Sequence, residues 1–167
     1  MPEDPAIGEL ATALVGELNQ KNKAVAAAES CTGGWIAKAL TDVPGSSGCF
    51  GYGIVSYSNG AKESILGVRN RTLVEHGAVS EPVVREMAEG TLRLSGADIS
   101  VAVSGVAGPD GGSDDKPIGT VWVAWSMRGP EGIATDPDLG RVEGNRDGLR
   151  LQTREHGRSA ARRRLRT

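Results

Sequence analysis

The chain has 167 residues, 24% of them charged and 38% hydrophobic, and a formal net charge of −2. That length suits one domain with a real core, and the charge balance excludes bulk electrostatic attraction to nucleic acid or an acidic membrane. Two cysteines are too few for a disulfide framework and match no paired metal-ligand spacing.

No apolar stretch approaches the roughly 20 residues of a membrane span. The acidic start MPEDPAIGEL lacks the apolar core of a signal peptide. The expected compartment is a reducing cytoplasm. Glycine is the outlier at 24 residues, clustered in short runs that suit sharp turns and close approach to a ligand.

Residues 6–20 (AIGELATALVGELNQ) place Ile7, Leu10, Ala11, Leu14 and Leu18 on one face of an amphipathic helix. KAVAAAES reads as a short buried strand, although its alanine run fits a helix equally well. Thr32-Gly33-Gly34 breaks it, and WIAKAL continues as a helix. Residues 42–48 (DVPGSSG) form a loop by composition. CFGYGIVSYS alternates as a strand, and NGAKESILGV begins a helix with Ser58 or Asn59 as N-cap. TLVEHG is a short helical turn. Ser80 caps a longer helix, EPVVREMAEGTLRLSG, with Pro82 in the first turn, where a missing N–H costs nothing.

ADISVAVSGVAG is a strand running into the glycine loop GPDGGSDDKPIG, and TVWVAWSM is the strand beyond it. Strands and helices thus alternate through residue 127, the pattern of a layered α/β sheet. Residues 128–148 read as loop with one short strand around 139–143. The tail GLRLQTREHGRSAARRRLRT reads as a helix poor in apolar residues, its arginine run at 162–164 a solvated end rather than a nucleic-acid patch.

The first chemically informative cluster is Glu29-Ser30-Cys31-Thr32-Gly33-Gly34. A hydroxyl at a strand end, followed by small residues opening a helix, is placed to attack a carbonyl. Unpaired N–H groups of the first helical turn can stabilise the resulting oxyanion. A structural reading carries equal weight: Ser30 or Thr32 caps the helix, and the glycines allow tight packing. The spacing is not the Gly-x-Ser-x-Gly elbow.

A serine nucleophile needs a base, and neither histidine, His76 or His156, lies in a glycine-flanked turn. Tyr57-Ser58-Asn59-Gly60-Ala61-Lys62 brings a phenol and an amine to one sheet edge instead. A desolvated lysine beside a hydroxyl can lose its proton and act as base, and a nearby ammonium can lower a tyrosine to the same end. Taken alone, the pair reads as an exposed first-turn lysine and a half-buried tyrosine. The third cluster, Ser104-Gly105-Val106-Ala107-Gly108-Pro109-Asp110-Gly111-Gly112, follows an apolar strand and offers N–H groups to a phosphate or oxyanion. It ends in no GK[ST], and Asp110, Asp114 and Asp115 fit no EF-hand spacing, so no metal is expected. Cys31 lacks a histidine partner and reads as a packing residue.

In order and spacing, AESCTGG, VSYSNGAK, GAVSEPVVREMA and AVSGVAGPDGGSDDKPIGTVWVAW resemble the C-terminal domain of the competence/damage-inducible protein CinA. The dense part of the resemblance spans 6–127. GNRDGLRLQT resembles the start of the family's final helix, with Asn145 where Asp is usual, and the tail carries fewer Leu and Ile than the family's closing helix. Nothing resembles the separate N-terminal domain of full-length CinA.

The resemblance implies one domain over residues 1–167, a three-layer α/β/α sandwich with a mixed sheet, commonly a homodimer. Stand-alone versions of the domain deamidate nicotinamide mononucleotide to nicotinic acid mononucleotide and ammonia, in pyridine-nucleotide salvage, with no metal or organic cofactor. By this resemblance Ser30 attacks the carboxamide carbon, and Lys62 with Tyr57 forms the base and proton relay, somewhat as in serine β-lactamases. Thr32, Gly33 and Gly34 supply oxyanion or phosphate contacts. Ser104, Gly105, Gly108, Gly111 and Gly112 shape the nucleotide pocket, and Arg146 reaches the phosphate. Two rival readings stand beside it: an amidase for another small amide, and a non-catalytic nucleotide- or partner-binding module of a competence or damage response. The trio Ser30, Tyr57 and Lys62 argues against the second, since a pure binder has no need of it.

Overall fold

In the computed structural model, which describes residues 5–143 and 150–153, the ambiguous alanine run is a strand, β1 (Val25–Glu29). Its neighbours explain the composition. Strands β2 (Phe50–Val55) and β3 (Ile99–Gly105) flank it, both parallel to it, and helices cover both faces. Ala26, Ala27 and Ala28 are fully buried, because only small side chains let helices approach a central strand so closely.

Beyond β3 the sheet turns antiparallel through β4 (Thr120–Gly129), β5 (Gly132–Glu143) and β6 (Arg150–Thr153), giving the mixed order β2-β1-β3-β4-β5-β6. On one face α1 (Pro5–Gln20) and α2 (Trp35–Thr41) pack through Ala11, Val15, Leu18 and Leu40, joined by Val43 just beyond α2. On the other, α3 (Asn59–Leu66), α4 (Asn70–His76) and α5 (Glu81–Ser95) pack on Ala28, Ala102 and Ala124. The architecture is an α/β sandwich.

Four expectations change. The buried stripe of α1 is Ala11, Val15 and Leu18, while Leu10 and Leu14 are 70% and 43% exposed. That stripe packs with Leu40, Val43 and Val25 in one apolar cluster. Ser80 is the N-cap residue of α5, but its hydroxyl donates to the Gly77 carbonyl (2.8 Å) instead of accepting from the helix. The stretch read as loop after residue 128 is the twelve-residue strand β5. Its turn-like residues are held extended by a ladder to β4 running from Thr120–Arg141 to Gly129–Gly132. Pro137 is tolerated because β6 pairs only with residues 140–143, leaving that part of β5 an outer edge among the described residues.

Residues 150–153 are strand rather than helix, drawn into the sheet by the open edge of β5. The rest of the tail and Arg146 lie outside the described residues.

The α3–α5 crossing depends on one glycine. A Cβ on Gly90 would lie 1.9 Å from the Leu66 carbonyl oxygen at the end of α3. Gly90→Ala therefore forces the helices apart, at a cost of about 3 kcal/mol for an overpacked site that backbone must relieve. Urea unfolding should show that loss. A change under about 0.5 kcal/mol, the range of ordinary surface substitutions, would mean the crossing is looser than this contact implies.

Candidate active site

Because β1 and β2 are parallel neighbours, the turns that follow them share one rim of the sheet. Ser30 begins the first turn. Lys62 sits at the start of α3, which Ser58 caps by accepting from the Ala61 N–H (3.1 Å). The cap fixes the helix start and directs Lys62 inward, where it is only 1% exposed. Its Nζ lies 3.0 Å from Ser30 Oγ, 2.7 Å from the Ser56 carbonyl oxygen and 3.1 Å from that of Tyr57.

Carbonyl oxygens can only accept, so they decide how a neutral amine must sit. They take its two N–H groups, which leaves the lone pair for the Ser30 hydroxyl. Burial pushes the Lys62 amine below its ordinary range, and a Cys31 thiolate nearby would oppose that shift.

Glu29, the last residue of β1, is fully buried, and its carboxylate organises the turn. It accepts from Thr32 Oγ1 (2.6 Å) and from the N–H groups of Gly34 (3.1 Å), Ile36 (3.0 Å) and Ala37 (2.8 Å). A buried carboxylate is tolerable here because four donors, three of them at a helix N-terminus, solvate it. Sequence reasoning quoted Glu29 and gave it no role. The available signal was an acid ending an apolar strand, one short glycine turn before a helix.

The same bonds reassign the expected anion donors. The Gly33 N–H donates to the Ser30 carbonyl (3.1 Å), and Gly34 N–H and Thr32 Oγ1 are committed to Glu29. The amides of Cys31 and Thr32 have no backbone acceptor among the described residues and lie against the Cys31 sulfur, whose charged form they favour. Cys31 is half-buried on the pocket wall, and desolvation raises its thiol above the ordinary value, which disfavours the thiolate.

The glycine loop forms the opposite wall. Ser104 is buried and its hydroxyl donates to the Ala78 carbonyl (2.8 Å), so it braces the floor. A Cβ on Gly105 would come within 3.0 Å of Cys31 Sγ and 2.7 Å of the Thr120 carbonyl oxygen, so only glycine lets this wall approach the Ser30 turn. Together Ser30, Cys31, Lys62, Gly105, Gly108, Gly111 and Gly112 line a cavity of about 400 Å³, within the usual range for a small ligand. Ala78 and Val79, which sequence reasoning passed over, complete it. Tyr57 is also at the cavity; its carbonyl holds Lys62, and its side chain is 64% exposed. Thr32, Gly33 and Gly34 support the turn from behind. Among the described residues no cluster of metal-ligating side chains occurs, and no helix is long and apolar enough to cross a membrane.

The fold and this rim define an α/β domain with a buried serine–lysine pair opening into a ligand-sized cavity. The family model described as the CinA C-terminal domain matches residues 8–165, and the chain belongs to that family. It is 49% identical over 149 residues to a protein named nicotinamide-nucleotide amidohydrolase PncC from Escherichia coli K12, covering 89% of this chain and 88% of that one. A CinA-like protein of Akkermansia muciniphila is 58% identical over 127 residues, 76% of this chain but only 31% of its own length. The chain thus spans under a third of that relative. The crystal structure of competence damage-inducible protein A from Klebsiella pneumoniae superposes with a TM-score of 0.79 at 42% identity, covering 84% of this chain and 85% of that one. One from Agrobacterium tumefaciens gives 0.78 at 42%, over 84% of each.

Proposed function

We propose that the protein hydrolyses the carboxamide of nicotinamide mononucleotide to nicotinic acid mononucleotide and ammonia, with Ser30 as nucleophile and Lys62 as base. The observation that carries the mechanism is the 3.0 Å contact between Ser30 Oγ and a buried Lys62 whose other hydrogens are held by two carbonyls. The substrate comes from the PncC relative, which this chain matches across most of both lengths.

In the acylation step Lys62 takes the Ser30 proton as Oγ bonds to the carboxamide carbon. The amides of Cys31 and Thr32 receive the oxyanion. Collapse of the tetrahedral adduct breaks the C–N bond, and the proton on Lys62 passes to the leaving nitrogen. Tyr57, at the cavity, belongs to this relay. Water, deprotonated by Lys62, then attacks the ester and releases the acid and Ser30. The glycine loop receives the nucleotide, and Arg146 reaches its phosphate. No metal or organic cofactor takes part. The reading extends to a homodimer working in the cytoplasm, and sedimentation velocity checks the dimer.

The decisive experiment is ammonia release from nicotinamide mononucleotide by the purified protein, with the acid product identified by mass. Equal amounts of ammonia and nicotinic acid mononucleotide are expected. Binding without turnover would favour a nucleotide-binding module, and turnover of other small amides alone would move the substrate.

A further inference from the structure

We propose that Lys116 is a positioning residue that holds the glycine loop against the far wall of the cavity, an inference that rests on the mononucleotide reading. The loop between β3 and β4 is anchored at its base by bonds between Val106 N–H and the Thr120 carbonyl (2.9 Å) and between Gly119 N–H and the Val106 carbonyl (2.7 Å). Its tip is a tight turn in which Ser113 and Lys116 exchange backbone bonds of 3.0 and 3.1 Å. Between base and tip, the amides of Ala107, Gly108, Asp110, Gly111 and Gly112 take no acceptor among the described residues. Three of those glycines, at 108, 111 and 112, have positive φ and so permit alternative backbone paths. The course of 107–112, which lines the cavity, therefore depends on where the tip is fixed.

Lys116 fixes it. Its Nζ donates to the His76 carbonyl (2.7 Å), the last residue of α4. Carbonyls at a helix C-terminus lack helical partners and carry the negative end of the dipole, so they favour a cation. A Cβ on the next residue, Gly77, would sit 3.5 Å from that amine. Ala78 and Val79 then form the cavity wall facing the loop. No other hydrogen bond joins 106–119 to 76–80 among the described residues. The floor is bolted separately by Ser104 to Ala78, so losing Lys116 frees the rim and leaves the floor intact. Lys116 does not itself line the cavity. Its effect falls on substrate binding rather than on the Ser30–Lys62 chemistry.

The test compares Lys116→Met, which keeps bulk and loses the donor, with Lys116→Arg, which can still reach a carbonyl. For nicotinamide mononucleotide, Lys116→Met should raise KM about tenfold with kcat unchanged, the scale of one charge-assisted hydrogen bond. Lys116→Arg should restore most of the wild-type KM. Hydrogen–deuterium exchange gives a readout independent of turnover: amides of 107–112 should exchange faster in Lys116→Met and at wild-type rates in Lys116→Arg. Unchanged exchange, a KM that does not move, or a fall in kcat alone each overturns the proposal. If the wild type releases no ammonia, the functional reading fails by itself, and the exchange comparison still decides whether Lys116 holds the loop.

Discussion

Ser30→Ala should lower turnover of nicotinamide mononucleotide by roughly 10⁴-fold or more, the scale seen when a covalent nucleophile is removed, and should leave the fold intact. The side chain lost is one hydroxyl at a turn whose shape is held by the Glu29 carboxylate, not by Ser30 Oγ. Lys62 keeps its two carbonyl acceptors, so the amine stays in place. Cys31→Ser is the matched control and should keep activity of wild-type order. Its sulfur lies beside Gly105, where burial raises the thiol's pKa, and among the described residues the Lys62 amine is hydrogen-bonded to Ser30 Oγ rather than to this sulfur. Steady-state kinetics with circular dichroism on both variants checks this. Activity surviving in Ser30→Ala and lost in Cys31→Ser would transfer the nucleophile to the neighbouring residue.

The Ser30–Lys62 pair was legible through the family resemblance; read alone, Lys62 was an exposed first-turn lysine and Tyr57 half-buried, whereas Lys62 is buried and Tyr57 exposed. Two consecutive strand-to-turn junctions, AAAES and VSYSNGAK, each end in a polar cluster, and parallel pairing of the two strands places both clusters on one rim. The alternation of strands and helices through residue 127 was legible from local periodicity, except at the alanine run of β1, which its parallel neighbours on both sides make a strand. What stayed hidden depends on partners distant in sequence. β5 carries Asp136, Pro137, Asp138 and Gly140, which locally spell a turn, and only the ladder from β4 makes them a strand.

The face of α1 was misjudged because Leu10 and Leu14 are stronger hydrophobes than Ala11 and Val15. The side that is buried is the one that meets Leu40, Val43 and Val25, partners distant in sequence. Glu29 and Lys116 share a further difficulty. Each acts through backbone groups, and a carbonyl or amide left without its usual partner leaves no mark in a sequence.

Replacing Lys62 should be as damaging as replacing Ser30, and the choice of replacement identifies the base. If the neutral amine accepts the Ser30 proton, Lys62→Met and Lys62→Arg should both be nearly inactive, because arginine keeps its charge and cannot accept a proton. Tyr57→Phe should then retain measurable turnover, since it preserves the Tyr57 carbonyl that holds Lys62. Were Tyr57 the base and Lys62 a fixed cation, Lys62→Arg would keep activity and Tyr57→Phe would lose it. The pH profile carries the same information. Burial lowers the Lys62 pKa, so kcat/KM should rise with pH through that lowered value, as the ammonium gives way to the amine.

Stability follows with a definite sign. Between the lowered folded value and the ordinary 10.5 of lysine, the unfolded chain binds the proton and the folded one does not. Unfolding free energy must then increase with pH across that window, by at most about 1.4 kcal/mol per pH unit for one proton. Below the window both states are protonated, and the folded state bears the cost of a buried ammonium. Lys62→Met removes the titrating group, so the stability of the wild type relative to this variant should climb with pH over the same window. Urea titrations of both proteins at several pH values measure it. A flat difference would mean that Lys62 keeps its ordinary pKa when folded, and the neutral-amine mechanism would fall with it.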